Sequence, residues 1–236
     1  MSVSDEMASG AAAAVLNIPA QVRQYYEALR DRVLLSLDGS SKPSCILALT
    51  SCLSDEGVST VAANFAVTLA RHAQGSVLLV DANLRRPSVH RIFGVKISPG
   101  LLDILVDDRR NREIIHSSSA GNLSSSAGNL FVLSSGRRAV DLSRLYRSQV
   151  FRDLVDRWKR QYRFVVFDIP AVSEDSSAVH LASLVDGVIL VVEAERIRWQ
   201  VAQRVKERLL EAKANVLGVV LNKRRFPVPG WLYRTL

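Results

Sequence analysis

The stretch Thr50-Ser51-Cys52-Leu53-Ser54-Asp55-Glu56-Gly57-Val58-Ser59-Thr60 reads as a phosphate-binding loop with valine where such a loop carries its phosphate-gripping lysine. In loops of this kind, backbone N–H groups and a helix N-terminus cradle phosphates. A lysine neutralises the β- and γ-oxygens, and the following Ser or Thr holds Mg²⁺. Gly57, Ser59 and Thr60 are retained, Val58 offers neither charge nor donor, and Cys52 stands at the position of the motif's first glycine. An ordinary strand-to-helix turn with Ser59 or Thr60 near the helix cap fits the same residues.

Two acids follow at positions that suit the same chemistry. The apolar run Ser76-Val-Leu-Leu-Val80 ends in Asp81, and Arg163-Phe-Val-Val-Phe167 ends in Asp168. Carboxylates at the ends of two buried strands, with a phosphate loop after a third, suit Mg-nucleotide binding. Taken singly, each acid also fits a cap on the turn or helix that follows it.

The elements that must position these groups alternate along the chain. Cys45–Thr50 reads as a strand, and Val61–Ala70 has helical spacing. Later come a strand at Leu130–Leu133, a helix at Arg147–Tyr162, a strand at Asp186–Val192, a helix at Ile197–Lys213 and a strand at Asn215–Leu221. Apolar strands alternating with helices imply an α/β, Rossmann-like fold, and the loop at 50–60 makes the expected fold that of a P-loop NTPase. Its sheet is expected to be mostly parallel and flanked by helices, with a ligand crevice at the carboxyl ends of the strands. The expected organisation is a flexible segment at 1–20, one domain over 21–223 and a basic, aromatic tail at 224–236.

With these residues in place, the chain resembles the cytoplasmic domain of bacterial tyrosine kinases that work with polysaccharide co-polymerases in capsule and exopolysaccharide export. That family's loop reads like S-x-x-P-G-E-G-K-S-T, its second strand like L-L-V-D-A-D-L-R-R-P, a later strand like V-I-I-D-T-P-P and a late segment like L-G-V-V-L-N. Ser51–Thr60, Leu78–Pro87, Val165–Ala171 and Leu217–Asn222 match those positions, and Gly100-Leu-Leu-Asp-Ile-Leu105 looks like the family's G-L-x-x-x-L. The resemblance implies that Gly57 and Thr60 contact phosphates and that Ser59 takes Mg²⁺. It implies Asp81 as the metal-linked acid or base and Asp168 as a second carboxylate near the metal. It also places Asn222 near the nucleotide base. ATP or ADP with Mg²⁺ would be the ligands of any surviving site.

The departures from the pattern cluster at the chemistry. Lysine becomes Val58, the second acid of the D-x-D pair becomes Asn83, and the second proline after Asp168 becomes Ala171. Phosphoryl transfer rests on positioning and charge, where one cationic contributor can be worth roughly 10³-fold or more in rate. A vestigial centre is therefore expected, in which Arg85 is the candidate replacement cation if it swings toward the phosphates. An arginine after a strand end also serves as a surface charge or an ion-pair partner. The helix expected over Gln21–Leu37 keeps only Arg30 of the family's E-x-x-R-x-x-R, with Gln24 and Glu27 at the other positions, so both self-association and a plain surface role stay open. In the tail, Tyr233 is the phosphoacceptor candidate, and with Trp231 and Leu232 it also fits a docking segment.

Composition bounds the rest. The 236 residues are 48% hydrophobic, enough for one filled core, and no run approaches the roughly 18 apolar residues that span a bilayer. A cytoplasmic chain is expected, and the resemblance implies recruitment to the inner membrane face and a partner in the cytoplasmic tail of a membrane co-polymerase. A net charge of +8 favours anionic partners, and an anionic membrane surface suits this setting better than nucleic acid. Cys45 and Cys52 are too few for a disulfide framework. The expected function is a kinase-like, catalytically weak or inactive regulatory or scaffolding subunit of polysaccharide export. The alternatives are a working tyrosine autokinase and a partitioning or positioning ATPase, the latter opposed by Leu53 where those ATPases carry an extra lysine. The segment Ser117–Leu123 is repeated without change as Ser124–Leu130 and is expected to lengthen a polar loop.

Overall fold

The computed structural model describes residues 18–37, 43–72, 74–106, 116–117, 129–137 and 145–224. Three strands form the middle of the sheet, β1 (Cys45–Ser51), β2 (Val77–Asp81) and β5 (Phe164–Asp168), and every residue in them is buried. Strands buried on both faces read as continuous apolar runs, which is how these segments appear in the sequence. The other strands are β3 (His116–Ser117), β4 (Leu130–Leu133), β6 (Gly187–Glu193) and β7 (Val216–Asn222), and the spatial order is β3-β4-β2-β5-β1-β6-β7. Six strands run parallel, and β3 adds an antiparallel edge against β4.

Side-chain alternation divides the core between two faces. Leu47, Leu49, Leu79, Val166 and Val191 point to one face, against α1 (Ala20–Ser36), α2 (Val58–His72) and α3 (Val89–Phe93). Ile46, Ala48, Val80, Phe167 and Leu190 point to the other, which is covered by α4 (Leu101–Val106), α5 (Gln149–Gln161), α6 (Ser176–Ala182) and α7 (Trp199–Glu211). The α5 helix starts where Ser148 caps it, its hydroxyl accepting from Phe151 N–H at 3.1 Å, and it buries Phe151, Leu154, Val155 and Trp158.

The elements expected from the sequence all appear, with ends moved by a few residues at most. The short helices α3, α4 and α6 and the strand β3 lie in stretches to which the sequence reading assigned no element. Leu130–Leu133 is the strand expected after the duplication, whereas residues 118–128, most of both copies, lie outside the described residues. So do residues 1–17 and 225–236, which include Tyr233. Among the described residues no helix is long and apolar enough to cross a membrane.

Candidate functional site

The loop after β1 closes on a helix start. Gly57 takes φ +85°, and its carbonyl accepts the first helical bond from Val61 N–H at 3.0 Å. A side chain at 57 would push aside the Asn222 amide, and the left-handed φ strains any residue but glycine there. Val58 is the first residue of α2, half-buried against the apolar face. At that place the helix offers free N–H groups but no side-chain cation.

Glu56 shapes the loop from inside. It is fully buried, and its two carboxylate oxygens accept from Leu53 N–H at 2.7 Å and from Glu193 N–H at 2.8 Å, tying the loop to the end of β6. Asn222, expected near a nucleotide base, donates its amide to the Glu56 carbonyl at 2.8 Å, so it braces the loop from the end of β7. Lys223 donates to Asp55 O at 2.6 Å, and Arg196 donates to Ser54 O at 3.2 Å; both also reach Glu193. The Cys52 thiol is pushed up to about 12 by burial, with the nearby Glu56 charge adding, so it is no nucleophile.

Strand pairing brings the two acids together. Asp81 and Asp168 are register partners at the carboxyl ends of β2 and β5, and both are fully buried. Asp81 is well provided for: Ser88 and Val89 N–H donate to Oδ2 at 3.0 Å each, and Asn83 N–H donates to Oδ1 at 3.2 Å. Burial nevertheless pushes it up to about 7, against the pull of these donors and of Arg91. Neither oxygen of Asp168 has a hydrogen-bond partner. Burial, and next the negative charge of Asp81, hold Asp168 well above the ordinary carboxylate range, and the nearby Ser59 hydroxyl offsets only part of this. A buried acid with two open oxygens, beside a second carboxylate and a Ser hydroxyl, fits a hydrated divalent cation. Ser59, Asp81 and Asp168 would hold Mg²⁺ directly or through water, and the metal would supply charge neutralisation for phosphate oxygens.

Ser59 lines a cavity of about 1140 Å³ at this end of the sheet. The loop contributes Ser51, Ser54, Asp55, Gly57, Val58, Ser59 and Thr60 to its lining, and the turn after β2 with α3 contributes Asn83, Arg86, Pro87, Ser88, His90, Arg91 and Ile92. Ala171 and Glu174 close the floor. Arg85, expected as a replacement cation, is not part of this lining. Its Nε donates to Asp175 Oδ2 at 2.7 Å, at the start of α6. Burial pushes Asp175 up, but the Ser177 donors and Arg85 outweigh it, so the acid stays below its ordinary value. Sequence reasoning did not find Glu56, Arg86 or Tyr146, whose buried hydroxyl donates to Ala82 O at 2.8 Å just beyond Asp81.

A glycine-bent loop opening a helix, with paired acids at the carboxyl edge of a parallel sheet, defines the class of P-loop NTPases. A family model described as ParA, NUBPL iron-transfer P-loop NTPase, matches residues 44–231. Among curated proteins, the chain is 30% identical over 203 residues to tyrosine-protein kinase YwqD of Bacillus subtilis (strain 168), covering 86% of this chain and 81% of that one. It is also 30% identical over 185 residues to the succinoglycan biosynthesis transport protein ExoP of Rhizobium meliloti (strain 1021), covering 76% of this chain and 22% of ExoP. The crystal structure of the chimerical protein CapA2B2 superposes with a TM-score of 0.82 at 27% identity, over 92% of this chain and 91% of that one. The chain belongs to the bacterial tyrosine kinase family of P-loop NTPases.

Proposed function

We propose that this chain is a kinase-like regulatory or scaffolding subunit of polysaccharide biosynthesis and export, with an inactive or very weak catalytic centre, acting beside a membrane co-polymerase. The observation that carries the reading is Val58. It begins the helix that faces the cavity, where a lysine would meet the phosphates, while the two strand-end acids keep their places. Without the lysine, the loop has less positive charge with which to stabilise a transferring phosphoryl group. Backbone N–H groups and Ser59 still favour phosphate and metal, so weak nucleotide binding is compatible with lost turnover. Similarity to a succinoglycan transport protein supports the polysaccharide setting. The CapA2B2 chimera supports a chain that works joined to another.

A working autokinase is the second reading, favoured by one observation: Asp81 and Asp168 stay in register at the carboxyl ends of β2 and β5. Incubating the purified chain with Mg-ATP, alone and with the cytoplasmic tail of a candidate co-polymerase, separates the two. Phosphotyrosine is read by mass spectrometry in wild type, Val58→Lys and Asp81→Asn. The proposal expects none in wild type and some in Val58→Lys. Phosphotyrosine in wild type that disappears in Asp81→Asn would overturn it.

A further inference from the structure

One ion pair crosses the mouth of the cavity. Arg86 Nη1 lies 3.2 Å from Asp55 Oδ2 and joins the turn after β2 to the tip of the phosphate loop. Asp55 takes φ +66°, a left-handed conformation, at the position where the related loop pattern has glycine. The turn itself needs no side chain there, so the carboxylate is an addition facing Arg86. The two side chains are 59% and 74% exposed, which makes the pair weak and open to exchange.

The other cations near the loop are differently engaged. Lys223 and Arg196 bind loop carbonyls and Glu193, and neither lines the cavity. Arg85 is bound to Asp175. Arg91 lines the cavity, with its Nη2 donating to Pro87 O at 3.3 Å. His90 lines it too, but burial, with Arg91 adding, lowers its affinity for a proton and keeps it neutral near pH 7. Among the described residues that line the cavity, Arg86 is the cation paired with a carboxylate on the phosphate loop.

We propose that Arg86 is the phosphate-binding cation of this chain, acting from the turn after β2 in place of a lysine at the Val58 position, with Asp55 holding the guanidinium until a phosphate chain displaces it. A guanidinium fork matches phosphate oxygens in pairs, so the exchange replaces a carboxylate by an anion of higher charge and similar geometry. This inference rests on the cavity being a nucleotide site.

Calorimetric titration of Mg-ADP and Mg-ATP into the full chain tests it, using wild type, Arg86→Gln, Asp55→Asn, Val58→Lys and the double variant Val58→Lys/Arg86→Gln. Arg86→Gln is expected to weaken binding roughly tenfold or more in the wild-type background, and clearly less in the Val58→Lys background. Asp55→Asn, which keeps a residue tolerant of the left-handed turn, is expected to tighten binding. An equal loss in both backgrounds, or no loss in either, would overturn the assignment of Arg86. Binding by Val58→Lys with none by wild type would overturn it too, yet leave the nucleotide reading intact. Absence of binding in every form, Val58→Lys included, would end the nucleotide reading and this inference with it.

Discussion

Asp168 shows what burial does to a single carboxyl group. Both its oxygens are buried without a partner, and Asp81 sits in register beside it. Ionising a second carboxylate there, away from water, is costly, which is why its affinity for the proton is raised. The sign for stability follows from linkage. The unfolded chain ionises Asp168 near the ordinary value of 3.8, while the folded chain keeps it protonated well above that. Stability from this group is therefore fully present at low pH and falls as pH rises from about 4 toward the folded value, by about 1.4 kcal/mol per pH unit at most. Asp168→Asn is expected to be more stable than wild type in urea denaturation at pH 7, with the gap closing near pH 4. Added Mg²⁺ should stabilise wild type more than the variant.

At the scale of elements, the phosphate loop is held by its surroundings more than by its own turn. Glu56 receives N–H bonds from both Leu53 and Glu193, and the ends of β6 and β7 meet the loop through Glu193, Asn222 and Lys223. Glu56→Ala leaves two backbone donors without their acceptor and is expected to cost roughly 2 kcal/mol or more of stability in denaturant unfolding. If nucleotide binds, the same substitution should weaken it, because the loop carbonyls braced by Asn222 and Lys223 lose their anchor. Gly100 illustrates tight placement without chemistry. Its N–H donates to Asp103 Oδ2 at 2.7 Å, and a Cβ there would reach within 2.7 Å of Gly136 Cα, so the start of α4 is fitted against the end of the β4 strand.

For the whole molecule, charge is the property with reach. The net charge of +8 acts over distances comparable to the Debye length, roughly 10 Å at 0.1 M salt. Among the described residues β7 forms one edge of the sheet, where Val219 and Leu221 are exposed. Attraction to an anionic lipid surface is the expected consequence of the charge. Co-sedimentation with vesicles rich in phosphatidylserine should retain the chain at low salt and release it as salt rises. Retention on neutral phosphatidylcholine vesicles, or indifference to salt, would count against an electrostatic membrane contact.

By itself, the sequence determined the order of the longer strands and helices, because buried strands and amphipathic helices carry different apolar periods, while the short α3, α4, α6 and β3 left no such signal. It also marked the loop from Ser51 to Thr60 and the acids Asp81 and Asp168, because each lies at the end of an apolar run that must become a strand. Val58 was visible because it stands between Gly57 and Ser59, where the phosphate-loop pattern carries lysine. Tertiary structure alone decided which of two neighbouring arginines faces the cavity: Arg85 turns to Asp175 at the start of α6 and Arg86 turns to Asp55. Nothing local distinguishes adjacent arginines in a turn, since the choice depends on acids 90 residues away for one and 31 for the other. Glu56 was hidden likewise, as its worth comes from a backbone donor on β6, 137 residues distant in the chain. Periodicity reports what a segment must bury, whereas partners for buried and bridging charges are set by which strand ends the sheet brings side by side.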